Sequence, residues 1–239
     1  MDNRKISLCL TNYNRVELLI KSFSQVIDDD RISEIVISDD CSDIDLYNQL
    51  KGIVSALNPL HNNKIKLYRN EINLDCYKNK KQAISLATND WVIIFDSDNT
   101  LDQSYLDRLY EIEEWQKDTS YMPSFAKPLF SYQQYEGVIL SKENVAQYID
   151  MPFLSTCLNC MNYFVNRDEY LRVWQDDIDP HTADSLLQNY NWFAGGNKML
   201  IVPNLHYNHL VHDGSHYKNQ VHLTGNLYAE IEEKIKQLK

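Results

Sequence analysis

The run Trp91-Val92-Ile93-Ile94-Phe95-Asp96-Ser97-Asp98-Asn99 carries five consecutive apolar residues straight into two carboxylates. Apolar residues without polar alternation predict a strand covered on both faces, as in a parallel sheet. On an extended backbone, residues i and i+2 point the same way, so Asp96 and Asp98 put two like charges into one small space. A divalent cation with oxygen ligands, Mn²⁺ or Mg²⁺, is one way to neutralise them. Held by few protein groups, such a cation keeps open positions that suit a diphosphate. A helix cap beside a solvated carboxylate is the plainer reading of the same residues.

Upstream of this run the pattern alternates. Lys5–Thr11 is a short apolar strand, and Val16–Ile27 places Val16, Leu19, Ile20, Phe23, Val26 and Ile27 at helical spacing. A strand at Ile32–Ile37, a helix at Ile44–Leu57, a strand at Lys64–Arg69 and a helix at Cys76–Ala87 follow. This β-α-β-α-β-α-β order predicts an α/β fold with an open, mostly parallel, Rossmann-like sheet flanked by helices. Ligands of such sheets bind beyond the carboxyl ends of the strands. Thr11-Asn12-Tyr13-Asn14, Asp39-Asp40 and Asp96-Ser97-Asp98 all follow strands directly, so they should share one sheet edge.

Beyond Asp98 the signal loosens. Asp102 is expected to cap a helix reaching Gln116, helices are expected near Lys142–Ile149, Arg167–Trp174 and Asp184–Phe193, and a strand at Lys198–Val202 should stop at Pro203. Gly225–Lys239 reads as a terminal helix. No repeat or linker divides the chain, so residues 1–239 are expected to form one domain, with a nucleotide-binding half (1–100) and an acceptor-binding half (101–239).

The 239 residues carry 23 Lys+Arg against 34 Asp+Glu, a net charge of −11, which argues against nucleic acid as a partner. No apolar run is long enough for a membrane helix and no signal peptide is visible, so a cytoplasmic location is expected. Five scattered cysteines fit reduced thiols, and Cys157-x-x-Cys160 reads as two half-buried strand residues rather than a metal or redox pair. The sequence leaves the oligomeric state open.

These strand-end residues resemble the family-two glycosyltransferases, nucleotide-sugar enzymes of the GT-A fold. The matching segments are Thr11-Asn12-Tyr13-Asn14-Arg15, Asp39-Asp40-Cys41-Ser42-Asp43, the stretch Asn70–Ala87 with Asn73, Lys78 and Lys80, and Asp96-Ser97-Asp98. The resemblance implies transfer of a sugar, with inversion, from a nucleoside-diphosphate donor to a hydroxyl acceptor such as a glycan, with UDP as the usual nucleotide. It places Thr11, Asn12, Tyr13, Arg15, Asn73, Lys78, Lys80, Asp96 and Ser97 at the donor and gives Asp40 the base. Asp98 and His212 would hold Mn²⁺ or Mg²⁺, and Asp184 would be the general base, with Asp176, Asp177 and Asp179 as competitors. Tyr190 and Trp192 are candidate floors for the acceptor sugar, although core packing is the commoner job for such rings. Three residues depart from the family pattern: Ala183 where an acid often precedes the base, Asn99 where a third Asp is common, and Cys41 where Gly is common.

Two other readings compete. Phe95-Asp96-Ser97-Asp98-Asn99-Thr100-Leu101 is also similar to the first motif of haloacid-dehalogenase-like phosphatases, with Asp96 as nucleophile and Ser124, Lys142 and Asp176-Asp177 as later partners. That motif ordinarily closes the first strand of its domain, whereas here three strand-helix units precede it. A nucleotide-sugar binding module without turnover is the other. The histidines clustered at His206, His209, His212 and His216 could hold zinc. A strand over 206–210, however, would point His206 and His209 to opposite faces.

Overall fold

The computed structural model describes residues 4–160, 162–213 and 215–238. The elements are β1 (Ile6–Asn12), α1 (Val16–Phe23), β2 (Ile32–Asp39), α2 (Ile44–Leu57), β3 (Ile65–Arg69), α3 (Asp75–Leu86), β4 (Trp91–Asp96) and α4 (Gln103–Tyr110). There follow β5 (Thr119–Lys127), β6 (Phe130–Ser131), β7 (Ile139–Leu140), α5 (Val145–Tyr148), α6 (Leu154–Leu158), β8 (Phe164–Asn166) and α7 (Arg167–Arg172). The chain closes with α8 (Asp184–Ala194), β9 (Lys198–Asn208), α9 (His216–Thr224) and α10 (Leu227–Lys236).

The strands form one mixed sheet in the order β3-β2-β1-β4-β8-β5-β9-β7, with β6 paired to β5. β1, β2, β3 and β4 are mutually parallel, β8 runs antiparallel to β4 and β5, and β5 and β9 are parallel. Alternate residues of the central strands face opposite ways. Leu8, Leu10, Ile35, Ile37, Ile93 and Phe95 pack with α1, α2 and α4 on one side. Cys9, Val36, Val92 and Ile94 pack with α3, α8 and α10 on the other. Each strand is therefore apolar on both faces, and the pentad 91–95 needs no polar alternation.

The chain order reverses between β1 and β4, which makes the crevice at their carboxyl ends the natural ligand position. The register aligns the polar tips there: Thr11 pairs with Asp96, Asn12 with Asp39, and Asp39 with Arg69.

Several expectations change in detail. The helix expected at Asp102–Gln116 ends at Tyr110, while the Asp102 carboxylate caps it by accepting from the Ser104 amide at 3.0 Å. Trp115 then turns back into an aromatic cluster with Trp91 and Phe164, with the Arg4 guanidinium 4.1 Å above its ring. The strand expected to stop at Pro203 continues to Asn208. Its pairing with β5 shifts register between Pro123 and Phe125, and Asn204 takes φ 60, so the proline falls at an irregularity that needs no ladder donor. Cys157 and Cys160 lie in α6 and the turn after it, not on a strand, because Phe153–Leu158 buries a helical rather than an alternating face. Both thiols are free. Among the described residues, no helix is long and apolar enough to cross a membrane.

At the opposite end of the sheet, buried Glu34 accepts from Ser7 Oγ at 2.6 Å and the Thr88 amide at 2.8 Å and pairs with Lys66. Burial pushes its carboxyl up, but Lys66, Ser7 and Thr88 outweigh burial and hold it below the ordinary 4.5. A depressed carboxyl contributes stability that is present above its unfolded value and drains as pH falls through the folded one. Glu34→Gln should therefore cost about 1–3 kcal/mol at pH 7 in urea unfolding. It should also flatten the loss of stability below about pH 4.5 relative to the parent chain.

Candidate active site

A cleft of about 540 Å³ opens at the carboxyl ends of β1 and β4, and Thr11, Arg15, Lys80, Asp96, Ser97, Asp98 and Asp184 all line it. Its floor is the tip of β4. Asp96 Oδ1 lies 3.2 Å from Lys80 Nζ, and Asp96 Oδ2 accepts from Asn162 Nδ2 at 3.0 Å. Asn162 Oδ1 in turn accepts from the Asp96 amide at 2.9 Å. Both oxygens and the amide of Asp96 are thus engaged. Asn162 precedes β8, and the antiparallel pairing of β8 with β4 carries it to Asp96. No sequence motif marked it; only the sheet order exposes its role.

Asp98 points elsewhere. Its Oδ2 meets Arg15 Nη1 at 3.1 Å and His212 Nε2 at 3.3 Å. His212 arrives from far along the chain through two ties. Thr100 and Asn208 exchange backbone hydrogen bonds of 2.9 and 3.1 Å, and Asn99 Oδ1 accepts from the Leu210 amide at 3.1 Å. Asn99, which departs from the family pattern, therefore fastens the β9 tail over the β4 tip. Burial pushes the Asp98 carboxyl up and the neighbouring Asp96 adds to it, while Arg15 and His212 pull it down. His209 also lines the cleft, and burial holds its imidazole below the ordinary value against the pull of Asp96 and Asp98. The side chain of His216 lies outside the described residues.

The residues present fit a divalent cation. Adjacent ligands on an octahedral Mn²⁺ or Mg²⁺ stand about 3 Å apart, close to the separation of Asp98 Oδ2 and His212 Nε2. Carboxylate and imidazole are both ordinary manganese ligands. Among the described residues no group of three or more His, Cys, Asp and Glu side chains is gathered. Asp98 and His212 would supply two of the ligands of such a cation, with Arg15 beside the same carboxylate.

Asp184 opens α8 on the far wall. Its Oδ2 accepts from Lys80 Nζ at 2.8 Å, and Cys76 Sγ lies 3.7 Å away. The turn ahead of it is braced by polar contacts. Thr182 and Thr224 hydroxyls meet at 2.6 Å, Tyr228 OH donates to the Thr182 carbonyl at 2.7 Å, and Asn159 Oδ1 accepts from the Leu186 amide at 3.3 Å. Asp176, Asp177 and Asp179 are exposed and line no part of the cleft; Asp176 pairs with Lys81. Of the four acids, only Asp184 reaches the site.

Several expected residues lie elsewhere. Trp192 is 0 % exposed and donates from Nε1 to the Lys198 carbonyl, so it is core and offers no face to an acceptor. Tyr190 packs half-buried against the core beneath the Lys234 ammonium and does not line the cleft. Lys78 and Asn73 are exposed outside the cleft. Asn12 is buried and donates to Asp39 and Ser42, so it braces the strand tips rather than facing a ligand. Asp40, 3 % exposed, is also absent from the lining; its Oδ1 accepts from Asn70 Nδ2 at 2.9 Å and the Leu74 amide at 2.7 Å. Its observed work is to anchor the loop before α3. Cys41 adopts φ 61, the left-handed region that glycine favours. Tyr13, Arg15 and His212 line a second hollow beside α1 and α2, so Arg15 belongs to both. The phosphatase reading fails on geometry. Asp96 is clamped rather than free to attack, and Ser124 Oγ donates to Glu136 at 2.8 Å and lies outside the cleft lining.

Residues 7–168 match the profile of glycosyl transferase family 2. A protein of Escherichia coli K12 named as a colanic acid biosynthesis glycosyl transferase, WcaA, is 32% identical over 99 residues, 41% of this chain and 34% of WcaA. Among solved structures, S. aureus TarS 1-349 in complex with UDP-GlcNAc superposes with a TM-score of 0.69 at 16% identity, covering 95% of this chain and 66% of that 1-349 chain. The mannosyltransferase PcManGT of Pyrobaculum calidifontis, in complex with GDP-Man and Mn²⁺, gives 0.62 at 12% identity over 91% and 60%. The chain thus spans about a third of WcaA and less than two thirds of either solved chain. With the profile covering well over half of its length, on a sheet of the GT-A type, this chain belongs to glycosyl transferase family 2.

Proposed function

We propose that the chain transfers a sugar, with inversion and with the help of Mn²⁺ or Mg²⁺, from a UDP-sugar to a hydroxyl of an acceptor. The observation that carries this reading is the confluence of Asp96, Asp98, Arg15, Lys80 and Asp184 on one cleft at the β1/β4 crevice. Arg15 supplies fixed positive charge for a diphosphate, and Asp98 with His212 would hold the cation. When bound, the cation offsets the charge that develops on the departing diphosphate. Asp96, locked by Lys80 and Asn162, presents a fixed carboxylate edge to the ribose or sugar hydroxyls beside Thr11 and Ser97.

The cleft continues past Asp184 over Ser155, Thr156, Asn159, Tyr228 and Glu232, where the acceptor would lie. Asp184 takes the proton of the attacking hydroxyl as its oxygen bonds to the anomeric carbon; the bond to the diphosphate breaks from the other side. One displacement of this kind inverts the anomeric configuration. UDP is proposed on the family pattern, and Asp40 contributes to that choice only if the 70–74 loop it anchors opens on binding.

Two experiments test this reading. In thermal melts, UDP with Mn²⁺ at a hundredfold excess over Kd should raise Tm by about 5–10 °C. Because Asp98 and His212 would supply two of the ligands, Mn²⁺ without nucleotide should do little, and chelator or Asp98→Ala should remove most of the shift. A larger response to GDP than to UDP would overturn the nucleotide assignment. Asp184→Asn should slow transfer by about 10²- to 10⁴-fold while UDP binding stays within threefold of the parent. Unchanged transfer would remove Asp184 from the mechanism.

A further inference from the structure

The Lys80 ammonium links a carboxylate at the β4 tip to one at the start of α8, across the wall of the cleft. It is 7 % exposed and lies 3.2 Å from Asp96 Oδ1 and 2.8 Å from Asp184 Oδ2. A lysine is rarely buried so deeply unless it is paired, and here two carboxylates from different elements share it. Burial alone would strip its proton, but Asp184 and Asp96 outweigh burial and keep it charged. α3 supplies Lys80, β4 supplies Asp96 and α8 supplies Asp184, so the ammonium pins three elements at the cleft wall.

We propose that Lys80 is a positioning residue that acts through Asp184: it holds the base at a fixed place relative to Asp96 and to the anomeric carbon that Asp96 helps to locate. This rests on the assignment of Asp184 as base. A carboxylate at the start of a helix has several staggered rotamers, and only an oxygen aimed at the acceptor hydroxyl can take its proton. The bond from Lys80 engages Oδ2 and fixes the plane of the carboxylate, which among the described residues leaves Oδ1 with the 3.3 Å contact to Ser185 Oγ. In the reaction the acceptor O–H proton passes to Asp184, the acceptor oxygen bonds to the anomeric carbon, and the electron pair of the breaking C–O bond leaves with the diphosphate. Asp184 becomes neutral as that charge appears.

The test is a double-variant cycle on full-length protein, with UDP affinity, kcat and Tm measured for each form. Lys80→Met should reduce kcat by about 100-fold, the scale of a misplaced catalytic group, with UDP Kd changed by less than threefold. Added to Asp184→Asn, it should cost less than a further threefold, because the group it positions is already disabled. Multiplying losses in the double variant would overturn the proposal and leave Lys80 as an independent donor contact, as would a Lys80→Met enzyme that keeps full kcat. Full activity in Asp184→Asn alone would overturn the base assignment instead, a separate result. If Lys80→Met does not fold, Lys80→Arg enters the same cycle: it keeps the charge but alters the reach, and the same non-additivity with Asp184→Asn is required.

Discussion

Two carboxylates at the tip of a buried strand set the terms for everything around them. Asp96 closes β4 and Asp98 follows in the turn after it, where burial and the neighbouring Asp96 both raise the cost of its charge. The protein answers with separate counter-charges on separate sides. Lys80 and Asn162 take Asp96, while Arg15 and His212 take Asp98. Each partner comes from a different region of the chain, so neutralising the tip also brings α3, the β8 approach, the β1–α1 loop and the β9 tail together.

That arrangement links fold to chemistry. The parallel β3-β2-β1-β4 half aligns Thr11 with Asp96 and opens the crevice at the strand reversal. The mixed half carries the rest of the cleft, because antiparallel β8 delivers Asn162 to Asp96 and β9 delivers His212 to Asp98. Lys80 joins the two halves, because its buried ammonium is shared by Asp96 at the β4 tip and Asp184 at the start of α8.

The first hundred residues were readable from the sequence because their physics is local. Uninterrupted apolar strands, helical spacing and polar strand ends place Thr11, Asp96 and Asp98 at one edge without any distant contact. The second half was less legible for the opposite reason. Asn162 is an unremarkable amide until β8 pairs with β4, and β9 passes Pro203 only because its partner strand is irregular there. Trp192 takes the commoner job for such a ring and faces the core, since α8 buries almost its whole circumference. Asp184 stood level with Asp176, Asp177 and Asp179 by residue type alone, and only the cleft separates them.

The most direct test of the account is a crystal structure with UDP and Mn²⁺, read by anomalous scattering from the manganese. The account predicts a manganese peak bonded to an Asp98 oxygen and to His212 Nε2, with the diphosphate beside Arg15 and the nucleoside against Thr11. A nucleotide bound away from the β4 tip, or a manganese that contacts neither Asp98 nor His212, would contradict it.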